Sequence, residues 1–249
     1  MSSTAYPSSV AYPLSVQGFF DQPSRGLWLV KWLLLIPHYI ILAFLWLAFW
    51  IVTVIAFFAI LFTTKYPKGL FDFNVGVIRW SWRVSFYGYT ALATDRYPPF
   101  TLADVPDYPA RLDIDYPQQL NRWLPLVKWL LAFPQYLIVG ALVGSGYVVA
   151  TSMQDNRAVS YSTPSLIGVC VLIAAIAMLF TTRYPPGLFD FALGINRWGY
   201  RLLVYVALMT DRYPPFRLDQ GSVDTEGPPQ PPEAPRADPA AQPRTNNVA

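Results

Sequence analysis

Two sets of charged side chains stand out in a chain otherwise short of charge. Asp72, Arg79 and Arg83 form one, and Asp190, Arg197 and Arg201 the other, each within a run of apolar and aromatic residues. At about 100° per residue the three members of a set fall within about 40° of one another on a helix. Such a stripe could do one of two things. Guanidinium forks match phosphate oxygens, so it could hold anionic lipid headgroups. The same groups could instead close structural ion pairs, between the two stripes or between each arginine and its own aspartate. Both readings stand at this level. A second pair of charged motifs, Asp95–Arg96 and Asp211–Arg212, lies inside the heptapeptide TDRYPPF, which occurs at residues 94–100 and again at 210–216. Proline forces the preceding tyrosine out of helical geometry. The motif therefore reads as a helix stop, with its Asp and Arg fixing the corner through hydrogen bonds.

Little else suggests catalysis. His38 is the sole histidine. A second copy of its surroundings carries Gln135 in its place, so an interfacial polar residue is expected rather than a general base. The lone Cys170 sits in an apolar run and excludes an internal disulfide or a thiolate cluster. No metal-ligand spacing, phosphate-cradling loop or nucleophile elbow is present. The expectation is a protein that is not an enzyme, with no metal and no cofactor. A net charge of +3 with dispersed basic residues gives no reason to expect a nucleic-acid partner.

The elements that must position these groups are apolar. Hydrophobic residues make up 54% of the 249 and charged residues only 13%, against about 25% charged in ordinary soluble domains. Residues 36–62 contain no charge, a run longer than the roughly 18 apolar residues that mark a spanning helix. The first residues lack the pattern of a cleaved signal peptide, so the apolar segments are expected to stay in the mature protein.

The chain is also duplicated. VKWLL recurs at 30–34 and 127–131. TTKYPKGLFDF at 63–73 returns as TTRYPPGLFDF at 181–191, and RWSWR at 79–83 as RWGYR at 197–201. These matches divide the chain into a flexible N-terminus (1–10), a membrane repeat (11–102), a linker (103–107), a second membrane repeat (108–218) and a disordered Pro-rich tail (219–249). The second repeat carries an insertion with the polar stretch at 152–165.

Basic residues cluster outside the apolar runs, which by the positive-inside rule puts both termini in the cytoplasm and the loop at 152–165 outside. Each apolar region then crosses the bilayer an even number of times, as a helical hairpin. In the first repeat this hairpin is tight, with its turn near Trp46–Trp50. A single crossing is the rival. Pro37 and Pro134 should kink or break the first helix of each hairpin. The striped segments are read as amphipathic helices in the cytoplasmic interface. After the first helix stop, alternation around Arg111, Asp113 and Asp115 suggests a strand. The segments at 12–20 and 215–220 are its counterparts. The strand closing one copy is expected to pair with the strand opening the other. The fold class is thus an all-α membrane protein with a small cytoplasmic β element, built from two tandem repeats, each a hairpin plus an interfacial helix.

The duplicated VKWLLxxPxY, RYPxGLFDF and TDRYPPF motifs resemble a bacterial, mainly actinobacterial, family of integral membrane proteins classed as a domain of unknown function. The resemblance covers residues 11–218. It implies a duplicated membrane domain in the cell membrane and no particular reaction. The function expected is a non-enzymatic lipid-binding or scaffold protein, its partners being membrane lipids, anionic ones included, or another membrane protein. A small-solute or lipid transporter built from the two repeats is the alternative.

Overall fold

The computed structural model describes residues 12–21, 23–24, 26–88, 90–144, 146–151, 158–163, 165–181, 184–219 and 221. The expectations for residues 1–10, for most of the polar loop and for the tail beyond 221 lie outside them.

Strand β1 (Leu14–Gly18) opens the chain, followed by α1 (Trp28–Thr63) and α2 (Lys68–Tyr87). Strand β2 (Ala110–Ile114) precedes α3 (Leu124–Leu131) and α4 (Phe133–Val143). A hairpin of β3 (Gly146–Thr151) and β4 (Ala158–Thr163) leads into α5 (Leu166–Thr181) and α6 (Pro186–Val206). The structure is therefore mostly helical, with two separate two-stranded sheets.

The expected hairpin of the first repeat is not formed. Residues 28–63 make one continuous helix of 36 residues, about 54 Å long at 1.5 Å per residue. The physical reason is turn chemistry. Between His38 and Phe62 there is no Gly, Pro, Asn, Asp or Ser, the residues that reverse a chain. Trp46–Trp50 therefore continues the helix. Pro37 lies inside α1 without ending it. The copy-two counterpart does break: α3 and α4 meet at Ala132 with a 46° bend, Pro134 standing at the start of α4. By length and composition α1 is long and apolar enough to cross a membrane, and the bent pair is too if it counts as one span.

Helices α2 and α6 form the middle of the molecule rather than interfacial helices. Each begins after a Tyr-Pro pair whose proline holds an extended ψ, 123° at Pro67 and 117° at Pro185. Along α2 the residues Asn74, Trp80, Val84 and Tyr87 face α1, and Arg79, Trp82 and Phe86 face the strands. At 100° per residue these sets lie roughly 150° apart. The helix is thus covered on both sides, which leaves no apolar face for a membrane interface. Helix α6 repeats this: Trp198, Leu202 and Tyr205 face α3 and α4, while Leu193 and Arg197 face β1.

The strands differ from expectation too. The two opening strands pair with each other, antiparallel, with Val16 opposite Leu112 and Gly18 opposite Ala110. Among the described residues, 101–109 and 217–219, directly after each TDRYPPF, form no strand. In the first copy Pro106 and Pro109 remove ladder donors. Strand β1 presses close to α2, since a Cβ at Gly18 would lie 2.6 Å from the Phe86 ring.

The outermost layer is inverted relative to a soluble protein. The residues that α1 buries include Lys31, His38 and Thr53. Those it exposes are apolar, among them Phe44, Leu47, Trp50, Ile51, Val54, Phe58 and Phe62. Helices α3, α4 and α5 do the same with Trp129, Leu130, Leu137, Leu172, Ile173 and Phe180.

Candidate functional site

Each TDRYPPF corner is built around a buried lysine from the helix layer. Lys31 Nζ donates to the carbonyl of Thr94 at 2.7 Å and pairs with Asp95 Oδ1 at 3.0 Å. Lys128 Nζ donates to Thr210 at 2.7 Å and pairs with Asp211 Oδ1 at 2.8 Å. Each ammonium also sits over a tyrosine ring, Tyr87 at 4.6 Å and Tyr205 at 5.1 Å. The other aspartate oxygen accepts from a backbone amide, that of Ser24 or Asn121. Two residues before each of these threonine carbonyls a leucine stands in the left-handed region, Leu92 at φ 50° and Leu208 at φ 64°. That conformation costs an L-residue about 1–2 kcal/mol, and it occurs at the same point of both copies. The partner of Asp95 and of Asp211 is in each case a lysine from far along the chain. Burial alone would raise the Asp95 carboxyl. Hydrogen bonds from Ser24 and Lys31 outweigh it and hold the group below the usual carboxylate range. Arg96 donates to the Asp107 carbonyl, and its own carbonyl accepts from Tyr108 at 3.0 Å. The Arg212 carbonyl accepts from Tyr12 at 3.4 Å.

Seven residues, about two turns, further along the same layer a second bridge recurs with different chemistry. Trp80 Nε1 donates to His38 Nδ1 at 3.1 Å, and Trp198 Nε1 donates to Gln135 Oε1 at 2.6 Å. His38 is stacked on Phe100, with ring centroids 4.0 Å apart. Gln135 Nε2 donates in turn to the Pro214 carbonyl at 2.8 Å. Both side chains are acceptors for a tryptophan, which is why histidine and glutamine can exchange here.

The arginine stripes turn inward. Arg79 Nε donates to the Leu112 carbonyl at 2.9 Å, and Arg197 Nε to the Val16 carbonyl at 2.8 Å. Val16 and Leu112 are opposite one another in the strand pair, so the two guanidiniums cap its two outer edges. Arg79 also pairs with Asp113 at 3.0 Å. Arg197 Nη1 donates to the Asp219 carbonyl at 2.8 Å. Arg83, Arg197 and Arg201 are at most 1% exposed. The stripe does not close on its own acids. Asp72 pairs with Lys68 at 2.9 Å on the surface, and Asp190 is brought to none of the four arginines by any ion pair among the described residues. Arginines this deeply buried do not present their forks outward, as a headgroup site would require.

The family described as a domain of unknown function (DUF4389) matches residues 25–101 and 158–217, more than half of the chain and part of each repeat. The chain belongs to the DUF4389 family. No similar curated protein and no similar solved structure was found.

Within this DUF4389 protein the two copies diverge at one point of the stripe. Arg201 Nη1 pairs with Asp219 Oδ2 at 2.6 Å, and Arg217 Nε lies 2.9 Å from Oδ1 of the same residue. Asp219 thus belongs to the folded body rather than to the tail. Aligning TDRYPPFTLA with TDRYPPFRLD places Ala103 where Asp219 stands. Arg83 therefore has no such carboxylate. It donates from Nη2 to the Thr101 carbonyl, while its Nε and Nη1 have no hydrogen-bond partner among the described residues. Burial, with Arg79 nearby, pushes its guanidinium down to about 10, still cationic at neutral pH. The sequence signal that could have revealed the corner pairs was the recurrence of a lysine in VKWLL and an aspartate in TDRYPPF, opposite charges each kept in both copies.

Proposed function

We propose that this DUF4389 chain is a non-enzymatic membrane protein, a lipid-binding or scaffold subunit whose outer helices lie against lipid. The observation that carries the reading is the inverted layer. Phe44 is 71% exposed, Phe62 75% and Phe180 80%, while Lys31, His38 and Lys128 are buried beneath. Contiguous apolar surface on this scale marks an interaction face. Lipid is the environment in which such a helix needs no further cover. The scaffold role falls to the capped strand pair, which joins the two repeats, while each lysine corner locks its own repeat.

The transporter alternative has less support. The buried lysines of α1 and α3 are each locked to a carboxylate, Lys31 to Asp95 and Lys128 to Asp211, rather than lining a path.

Fractionation tests the membrane reading. The full-length protein is expected to stay with the membrane pellet through alkaline carbonate and to be released by detergent. Release by carbonate alone would defeat it.

A further inference from the structure

We infer that the chain inserts into one leaflet of an anionic bilayer, with α1 and the α3–α4 pair lying along the membrane plane and the β1–β2 pair facing water. The inference rests on the membrane reading above and concerns how the protein sits.

The argument is one of parallel layers. Contacts between α1 and α2 run in register over most of α2. Leu35 meets Gly88, His38 meets Trp80, and Thr53 meets Asn74. Contacts between α2 and the strand pair do likewise, with Phe71 against Tyr116, Arg79 against Leu112 and Phe86 against Gly18. Helix α1, helix α2 and strand β2 therefore lie alongside one another. If α1 stood upright across a bilayer, β2 would stand beside it at the same depth. Arg79, in the middle of α2, would place Asp113 near the midplane, and the Asp113 side chain is 68% exposed. Arg111 on the same strand and Asp115 just past its end are exposed too. Charged side chains facing hydrocarbon at that depth are strongly disfavoured, as are the open edges of a two-stranded sheet. Rotating the layers into the membrane plane removes both conflicts. The apolar outer helices then enter the lipid, and the charged strand face, on the far side of α2, stays in water.

Charge placement agrees with an anionic leaflet. Exposed Lys65 and Lys68 follow the end of α1, and exposed Arg122 precedes α3. Exposed Arg96 and Arg212 adjoin Tyr97 and Tyr213, whose hydroxyls donate to the carbonyls of Leu34 in α1 and Leu131 in α3 at 3.0 and 3.1 Å. Exposed Asp104, Asp107, Asp113 and Asp115 lie on or beside the strand. Cations thus border the apolar layer, and Asp104, Asp113 and Asp115 gather on the strand side, where Arg111 is the exposed cation of β2. Trp32 and Trp129, at the same place in the two copies, are 57% and 65% exposed, in keeping with the preference of indoles for the headgroup region.

The test uses the full chain with Cys170→Ser and single cysteines at the two ends of α1, Gly26→Cys and Lys65→Cys. A Cβ at Gly26 meets nothing within 4 Å and Lys65 is exposed, so both should fold. In bacterial spheroplasts an impermeant maleimide should treat the two sites alike, before and after permeabilisation. Labelling of one end and protection of the other in intact spheroplasts would overturn the proposal. Spin labels at Phe44, Ile51 and Phe58, read by oxygen and nickel accessibility in phosphatidylcholine–phosphatidylglycerol vesicles, should report similar depths. A steep depth gradient along the three would overturn it too. Neither failing result touches the membrane reading, which falls only if the protein leaves the pellet in carbonate.

Discussion

The Nε of Arg79 donates to the carbonyl of Leu112 at 2.9 Å, across a helix–strand contact that the other copy reproduces between Arg197 and Val16 at 2.8 Å. Each guanidinium satisfies a carbonyl on the outer edge of a strand pair too short to be stable alone. The charge that looked available for lipid is spent on the sheet. Replacing Arg197 with Gln should cost about 1.5–3 kcal/mol, the range for a hydrogen bond to a charged group. Arg79→Gln should cost less, because that side chain is 15% exposed and water can stand in. Hydrogen exchange at 14–18 and 110–114 would rise in both. Unchanged protection in Arg197→Gln would count against the edge-capping role.

The corner ion pairs make a sharper test. Lys31→Met leaves Asp95 without its buried partner and should destabilise by about 3 kcal/mol, the low end for a broken buried pair because Asp95 keeps partial solvent access. Adding Asp95→Asn should recover most of that loss. Thermal unfolding in mild detergent reads both, and absence of rescue would show that the lysine acts alone, through Thr94 or Tyr87.

Acid should weaken the same corner. The folded Asp95 carboxyl lies below its ordinary value, so its contribution is present above the unfolded carboxylate pKa of about 3.9 and lost as pH falls through the folded value. Stability is expected to hold from neutral pH to about 5 and to fall below about 4. The Lys31→Met/Asp95→Asn double variant should show a shallower acid limb than the parent in a pH series of melting curves.

His38 should accept the other copy's solution. His38→Gln can still receive the Trp80 indole N–H, as Gln135 receives that of Trp198 at 2.6 Å, and should melt close to the parent. His38→Ala strands a buried donor and should cost about 1–3 kcal/mol. Equal melting of the alanine and glutamine variants would show that the bridge contributes little.

Ala103→Asp would give Arg83 the carboxylate that Arg201 has in Asp219. A gain of about 1 kcal/mol is expected, or ~2–4 °C in Tm for a chain of this size. Truncation supplies the converse. Removing residues 220–249 spares Asp219 and should leave Tm unchanged, whereas removing 219–249 should lower it.

The duplication and the long apolar run could be read from the residues, because each depends on local pattern; the helix stop assigned to TDRYPPF could not, since α2 and α6 end at Tyr87 and Val206, before the motif begins. Apolar runs set helix length, and proline sets the backbone of its neighbour whatever surrounds it. Even the continuity of α1 was written in the absence of any turn residue after Pro37, although charge parity argued for a hairpin. What only tertiary structure decided was the partner of each charge. Arg79 and Asp72 share a helix face, yet the guanidinium reaches the Leu112 carbonyl and Asp113, while Asp72 stays at the surface with Lys68. Periodicity tells which side chains leave a helix together. It carries no information about what stands opposite, and an ion-pair energy depends on that distance and on the burial around it. Lys31 and Asp95 meet for the same reason: α2 returns the chain antiparallel along α1 and brings TDRYPPF back to where the first helix begins.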